Sequence, residues 1–240
     1  GELHLDILTD RLLREYKVSS NVGKPQVSYR ETLSKSYDYE ATYEKEIAGE
    51  MHFAKVKLRV EPLKRASGIQ FQSLVKSTDL PLALLKAAEA GFREACEVGP
   101  VASYPLIDVR GILLSCVFVK ETSTEIAYKA AASMASREIF RNAQAELLEP
   151  VFKVEIVTPE EFMGGIMGDL NARRGKVHSM SMKHKSQVIQ SDVPLANLFG
   201  YATDLRSLSQ GRASFSMEFL EYSVVPAKAK DEVLKKIGRF

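Results

Sequence analysis

The residues with the clearest chemical potential form a run of cations. Between Arg173 and Lys185 the chain carries Arg173, Arg174, Lys176, Lys183 and Lys185, with His178 and His184 among them and no acidic residue. Such a cluster can neutralise several phosphates, and binding of that kind weakens steeply with salt. The same residues would equally suit a solvated hairpin face kept soluble by lysine, and composition leaves the two readings even. A second candidate is Arg206-Ser207-Leu208-Ser209-Gln210-Gly211-Arg212, read as a polar loop entering a strand. Two arginines with hydroxyls and a glycine suit phosphate contact without base readout, although an ordinary turn would look the same.

Signatures of catalysis are missing. There is no G-x-x-x-x-G-K-[ST] loop, and the glycines of Met163-Gly164-Gly165-Ile166-Met167-Gly168 fall inside a helical pattern rather than after a strand, so no nucleotide cradle is encoded. His4, His52, His178 and His184 are scattered without metal spacing or a nucleophile signature. Glu160-Glu161 reads as a helix-dipole pair rather than an acid/base pair. Cys96 and Cys116 sit in apolar surroundings, as buried thiols of a reducing compartment do. The expectation is a binding chain, not an enzyme, with no metal and no cofactor of its own.

The elements that must position these residues follow from periodicity. Leu5, Leu8 and Leu12 predict a short amino-terminal helix, ending before Val18-Ser19-Ser20-Asn21-Val22-Gly23. Tyr37 to Glu50 is polar and charged, and from His52 to Val60 apolar and basic residues alternate, which predicts a half-buried antiparallel strand with Ala54, Val56, Leu58 and Val60 inward. Leu84, Ala88, Phe92 and Cys96 predict a helix stopped by Gly99-Pro100. Strands over 107–114 and 116–119 precede an alanine-rich helix over 124–144, expected to lie on a sheet through Ile126, Ala130 and Met134. Leu147-Leu148-Glu149-Pro150 reads as a joint.

Beyond it, Phe152, Val154 and Ile156 form a strand. Thr158-Pro159-Glu160-Glu161 then has the form of a capping box, opening a helix through Phe162, Ile166 and Leu170. Strands over 176–182 and 186–190, a short helix over 194–199 and a strand with Phe215, Met217 and Phe219 inward complete a βαββαβ order, the ferredoxin-like arrangement. Residues 228–237 predict a terminal helix.

Composition limits the class. At 240 residues, 45% hydrophobic and 27% charged, the chain suits a soluble α+β protein with one large core or two medium ones. No run reaches the roughly 18 apolar residues of a membrane span, and no leader opens the chain, so no membrane partner is expected. Gly in place of Met at position 1 predicts a piece cut from a longer protein. A net charge of +2 leaves local clusters to decide on nucleic acid.

Long motifs then make the sequence recognisable. Gly1-Glu2-Leu3-His4-Leu5 with Asp10-Arg11-Leu12-Leu13-Arg14-Glu15-Tyr16 resembles the end of domain III of elongation factor G, and Val22-Gly23-Lys24-Pro25-Gln26-Val27-Ser28-Tyr29-Arg30-Glu31-Thr32 the start of its domain IV. Leu148-Glu149-Pro150, Thr158 to Gly164, Gly168-Asp169-Leu170-Asn171-Ala172-Arg173-Arg174-Gly175 and Phe199 to Ser207 resemble domain V. The resemblance implies the end of domain III over 1–20, an S5-like domain IV with a βαβ crossover over 21–147, a ferredoxin-like domain V over 148–226 and a carboxy-terminal helix over 227–240. It also implies a cytoplasmic, monomeric translation factor whose GTPase domain, with GTP and Mg, lies outside this chain. The implied partners are ribosomal RNA and ribosomal proteins, tRNA and mRNA at the decoding region, and ribosome recycling factor.

Departures from the family pattern fall at the domain IV tip. The first tip loop is glycine-rich in the family, whereas residues 45–55 here keep only Gly49, with Lys55 at the place of a characteristic histidine. In the second loop Val119 stands where the family carries a histidine. The resemblance makes Lys45, Gly49, His52, Lys55, Phe118, Val119 and Lys120 candidate RNA or ribosome contacts at the tip. Arg173, Arg174, Lys176, Lys183, Lys185, Arg206 and Arg212 are the candidates in domain V. Translocase, recycling paralogue and ribosome-protection module are the three functions it leaves open, with a divergent paralogue expected.

Overall fold

The computed structural model describes residues 20–21, 24–25 and 27–239, so the predicted amino-terminal helix and the resemblance to the end of domain III lie outside the described residues. The chain divides into two compact units. One comprises Arg30–Leu148 with the chain from Val224 onward, the other Glu149–Ser223 with the described residues up to Tyr29. Short strands β1 (Ser20–Asn21) and β2 (Lys24–Pro25) pair antiparallel.

In the first unit, β3 (Arg30–Leu33) is followed by a sheet of order β4 (Tyr37–Ile47), β5 (Glu50–Pro62), β7 (Val109–Val117), β6 (Ile69–Ser73). β6 and β7 run parallel, joined by α1 (Leu82–Ala95), which is the expected βαβ crossover. In β5, Ala54, Val56, Leu58 and Val60 are buried as the alternation required. The charged segment over 37–50, given no element from its sequence, holds strand β4, the turn at 48–49 and the first residue of β5. Its carboxylates are set against the outward cations of β5: Arg59 binds Asp38 through two nitrogens at 2.7 and 3.0 Å, and Lys55 Nζ lies 3.3 Å from Glu40. Cross-strand charge pairing stabilises a strand that hydrophobic periodicity does not reveal, and charge on an edge strand discourages further pairing. The two runs predicted over 107–119 are one strand, with Leu114 left out of the ladder where the register shifts.

Helix α2 (Glu125–Asn142) begins where Thr124 Oγ1 accepts the Ala127 N–H at 3.3 Å. Its packing face is not the predicted one. Ile126 and Met134 are exposed, and Ala127, Ala131, Ala135 and Ile139 are buried. The alanine stripe prevails because small side chains admit close approach: a Cβ on Gly91 of α1 would lie 2.2 Å from the Lys129 carbonyl oxygen of α2. Nearby, the fully buried Glu31 carboxylate accepts the N–H groups of Val101, Ala102 and Tyr104, pinning the turn after α1. Helix α5 (Ala227–Lys236) is anchored by the buried Val233.

The joint expected at 147–150 is the interior of a 14-residue strand, β8 (Ala145–Thr158), whose start pairs with β3 and whose remainder pairs with β10. In the second unit β8, α3 (Met163–Ala172), β9 (Lys176–Lys183), β10 (Ser186–Pro194), α4 (Tyr201–Ser209) and β11 (Ser214–Val224) give the βαββαβ order. The strand order β11-β8-β10-β9 completes the ferredoxin-like sheet. Phe152, Val154 and Ile156 pack with Ile166, Leu170, Leu205 and the β11 residues Phe215, Met217 and Phe219.

Two local expectations fail here. The capping box does not form, because the Thr158 hydroxyl donates to the Pro159 carbonyl at 3.1 Å and a 3-10 turn over Glu160–Phe162 intervenes before α3. The helix expected over 194–199 is only a 3-10 turn, and the α-helix follows it after Gly200, whose φ of +76° breaks the run. Arg206 therefore sits on helix α4 and not in a loop.

Candidate functional site

The candidate residues gather in two places, one in each unit. In the first unit, β4 and β5 join through Ala48 (φ 52°) and Gly49 (φ 84°), with Ile47 paired to Glu50. Two positive φ values in a two-residue loop define a type I′ turn, so Gly49 serves tight hairpin closure rather than a pliant loop. The segment after β7 lies alongside: the Phe53 N–H donates to the Thr122 carbonyl at 2.8 Å. His52 Nδ1 and Thr124 Oγ1 are 2.7 Å apart, and His52 is only 7% exposed. Its imidazole is therefore an internal clasp between the hairpin and the start of α2, not a surface donor, because its place in the alternation puts it on the inward face of β5.

Lys45, Phe118, Val119 and Lys120 are exposed on this tip, while Lys55 is held by Glu40. The structure adds neighbours that the motif reading did not single out. Glu44, Glu46, Glu50 and Glu121 are exposed there, and Met51 is 40% exposed. The acid-rich run over 44–50 was the available signal.

In the second unit the cationic run separates into two kinds of residue. Arg173 binds Asp169 at 2.9 Å and the Asn197 carbonyl at 2.8 Å, contacts Asp204, and lies 4.9 Å from the centre of the Tyr201 ring. Arg174 makes a two-pronged pair with Glu149, both contacts 2.8 Å, and the Glu149 side chain is only 3% exposed. Arg212 pairs with Glu161 at 2.6 Å above the Phe162 ring. These three arginines are paired within the unit: Arg173 with Asp169 one helical turn before it, Arg174 with Glu149 from β8, and Arg212 with Glu161 at the surface. His178 contacts Asp192 in the same way.

Lys176, Lys183 and Lys185 are exposed and make no ion pair among the described residues. Lys183 and Ser186 close the β9–β10 hairpin, and both residues between them have positive φ, His184 at 50° and Lys185 at 69°. Side chains in that region are strained by about 1–2 kcal/mol each, so this turn holds His184 and Lys185 outward at a conformational cost. Arg206 is exposed in the last turn of α4, where its carbonyl accepts the Gly211 N–H at 2.9 Å just before Arg212.

Neither thiol is poised for chemistry. Burial pushes the Cys96 thiol up to about 12 and raises Cys116, and both cysteines are free. Among the described residues no three His, Cys, Asp or Glu side chains group as metal ligands do, and no helix is long and apolar enough to cross a membrane. Each unit thus presents one exposed candidate surface, a charged and apolar hairpin tip in the first and a lysine-bearing hairpin in the second.

Known proteins sharpen this picture. The family description "Elongation factor G, domain IV" matches residues 25–144, and "Elongation factor G C-terminus" matches residues 146–233. Elongation factor G 1 of Bdellovibrio bacteriovorus is 59% identical over 242 aligned residues, covering all of this chain and 34% of that protein. A crystal structure from Thermus thermophilus superposes with a TM-score of 0.82 at 30% identity, over 99% of this chain and 35% of that one. The chain thus spans about a third of the length of the relatives it matches. With both units matched in order, and the crossover sheet and ferredoxin-like sheet in place, the chain belongs to the elongation factor G family of translation factors, as its domain IV and carboxy-terminal portion.

Proposed function

We propose that this chain is the ribosome-contacting arm of a cytoplasmic, monomeric factor that couples GTP hydrolysis to tRNA and mRNA movement. GTP and Mg would be bound by a GTPase portion outside these residues. The arm would work by position. A rigid unit occupying the decoding region blocks backward movement of tRNA, which needs shape and stiffness and no reactive group. What supports this reading is the matching of both units, in order, by two elongation factor G descriptions over 25–144 and 146–233. In this account the second unit contacts ribosomal RNA through Lys176, Lys183 and Lys185, whose ammonium groups are exposed and unpaired among the described residues.

One observation favours a second reading. The first tip loop is a two-residue turn flanked by carboxylates where the family pattern is glycine-rich, which fits a paralogue specialised for ribosome recycling with its partner factor. A chimaera separates the two. The corresponding part of the Bdellovibrio factor is replaced by this chain, and tRNA translocation and subunit splitting are measured in a reconstituted system. Translocation at the parental rate supports the first reading, and splitting without translocation supports the second. A chimaera that neither translocates nor splits, while still hydrolysing GTP on ribosomes, refutes both.

A further inference from the structure

The tip of the first unit has a charge and apolarity pattern unlike that of the lysine-bearing hairpin. Two adjoining loops build it, joined through the Phe53–Thr122 backbone hydrogen bond and the His52–Thr124 contact. Met51, Phe118 and Val119 are 40, 39 and 37% exposed at this end. Around them stand four exposed carboxylates, Glu44, Glu46, Glu50 and Glu121, against two exposed ammonium groups, Lys45 and Lys120. None of the four carboxylates makes an ion pair among the described residues, and the nearby Lys55 is already neutralised by Glu40.

A phosphate backbone meeting this end would encounter excess negative charge, the reverse of what nucleic-acid contact requires. An apolar centre inside an acidic rim is instead the complement of a protein surface in which arginine or lysine surrounds an apolar side chain. We propose that the tip docks on such a basic protein segment, Met51, Phe118 and Val119 covering its apolar side chain while Glu46, Glu50 and Glu121 face its cations. The inference rests on the arm reading for its ribosomal setting and names the class of partner that holds the arm's end. Base stacking on Phe118 is the competing possibility, and the charge balance disfavours it.

Fluorescence anisotropy with the 240-residue chain tests this, using two labelled probes: a short peptide of arginines and lysines around a central leucine, and an oligouridylate. The wild type should bind the peptide. E46K/E50K/E121K should lose roughly tenfold or more in affinity, and most of the salt dependence with it. F118S, which leaves every charge in place, should weaken peptide binding while keeping its salt dependence. Oligouridylate binding should be unchanged or strengthened by the charge reversal. Equal peptide affinity in wild type and both variants overturns the proposal, as does oligouridylate binding that F118S abolishes. Circular dichroism melts establish that the variants are folded. Co-sedimentation with ribosomes runs in parallel. A chain that pellets with ribosomes but ignores the peptide overturns the tip assignment alone. A chain that binds the peptide through its tip but not ribosomes supports the tip assignment and removes the arm.

Discussion

Arg174 and Lys185 show how differently two cations of one sequence run are used. Arg174 neutralises a carboxylate that has almost no access to water, so Arg174→Ala would leave Glu149 buried and unpaired. That should cost about 3 kcal/mol and lower Tm on the order of 10 °C, measurable by thermal denaturation. Lys185 occupies left-handed backbone that glycine adopts freely. Lys185→Gly should therefore stabilise the chain by about 1 kcal/mol in urea unfolding while weakening ribosome binding.

Glu31 adds a pH effect. Burial raises its carboxyl above the ordinary glutamate value despite three backbone N–H donors, so the native state holds this proton more tightly than the unfolded chain. Its contribution to stability is greatest below the ordinary glutamate range and declines as pH rises through the raised native value. Glu31→Gln should remove that decline. Placing an amide NH₂ against a backbone N–H should cost about 1–3 kcal/mol, both effects being read from urea midpoints across a pH series.

At the scale of elements, the close crossing of α1 and α2 makes a sharp prediction. Gly91→Ala places a methyl group against backbone that cannot swing aside, and should destabilise by about 1–3 kcal/mol, seen as a lower urea midpoint with an unchanged slope. Elements with strong apolar periodicity were legible in advance: β5, α1 with Leu84, Ala88 and Phe92, and the βαββαβ order of the second unit. What escaped was set by partners distant in sequence. β4 is stabilised by cross-strand charge pairs and the face of α2 is set by what α1 allows near it, while the start of α4 is the one local case, shifted by the left-handed glycine just before it. The candidate site was legible to the same degree. Its cations were visible in the sequence, as was Asp169 one helical turn before Arg173, whereas Asp204, Glu149 and Glu161, which engage Arg173, Arg174 and Arg212, come from elements that only the fold brings near.

Taken unit by unit, the two exposed surfaces differ in sign. The second unit offers lysines on a strained hairpin, and the first offers carboxylates around an apolar centre. On the proposed reading, the second unit's lysines meet RNA and the first unit's tip meets protein. The most direct test is equilibrium co-sedimentation of the chain with ribosomes over a range of salt concentrations, for wild type and for K176E/K183E/K185E. The account predicts that wild-type affinity falls linearly with salt on logarithmic axes. The triple variant should bind more weakly with a shallower slope, at an unchanged Tm because its lysines hold nothing inside the unit. Ribosome affinity that is absent, or indifferent to both salt and the three substitutions, would contradict it.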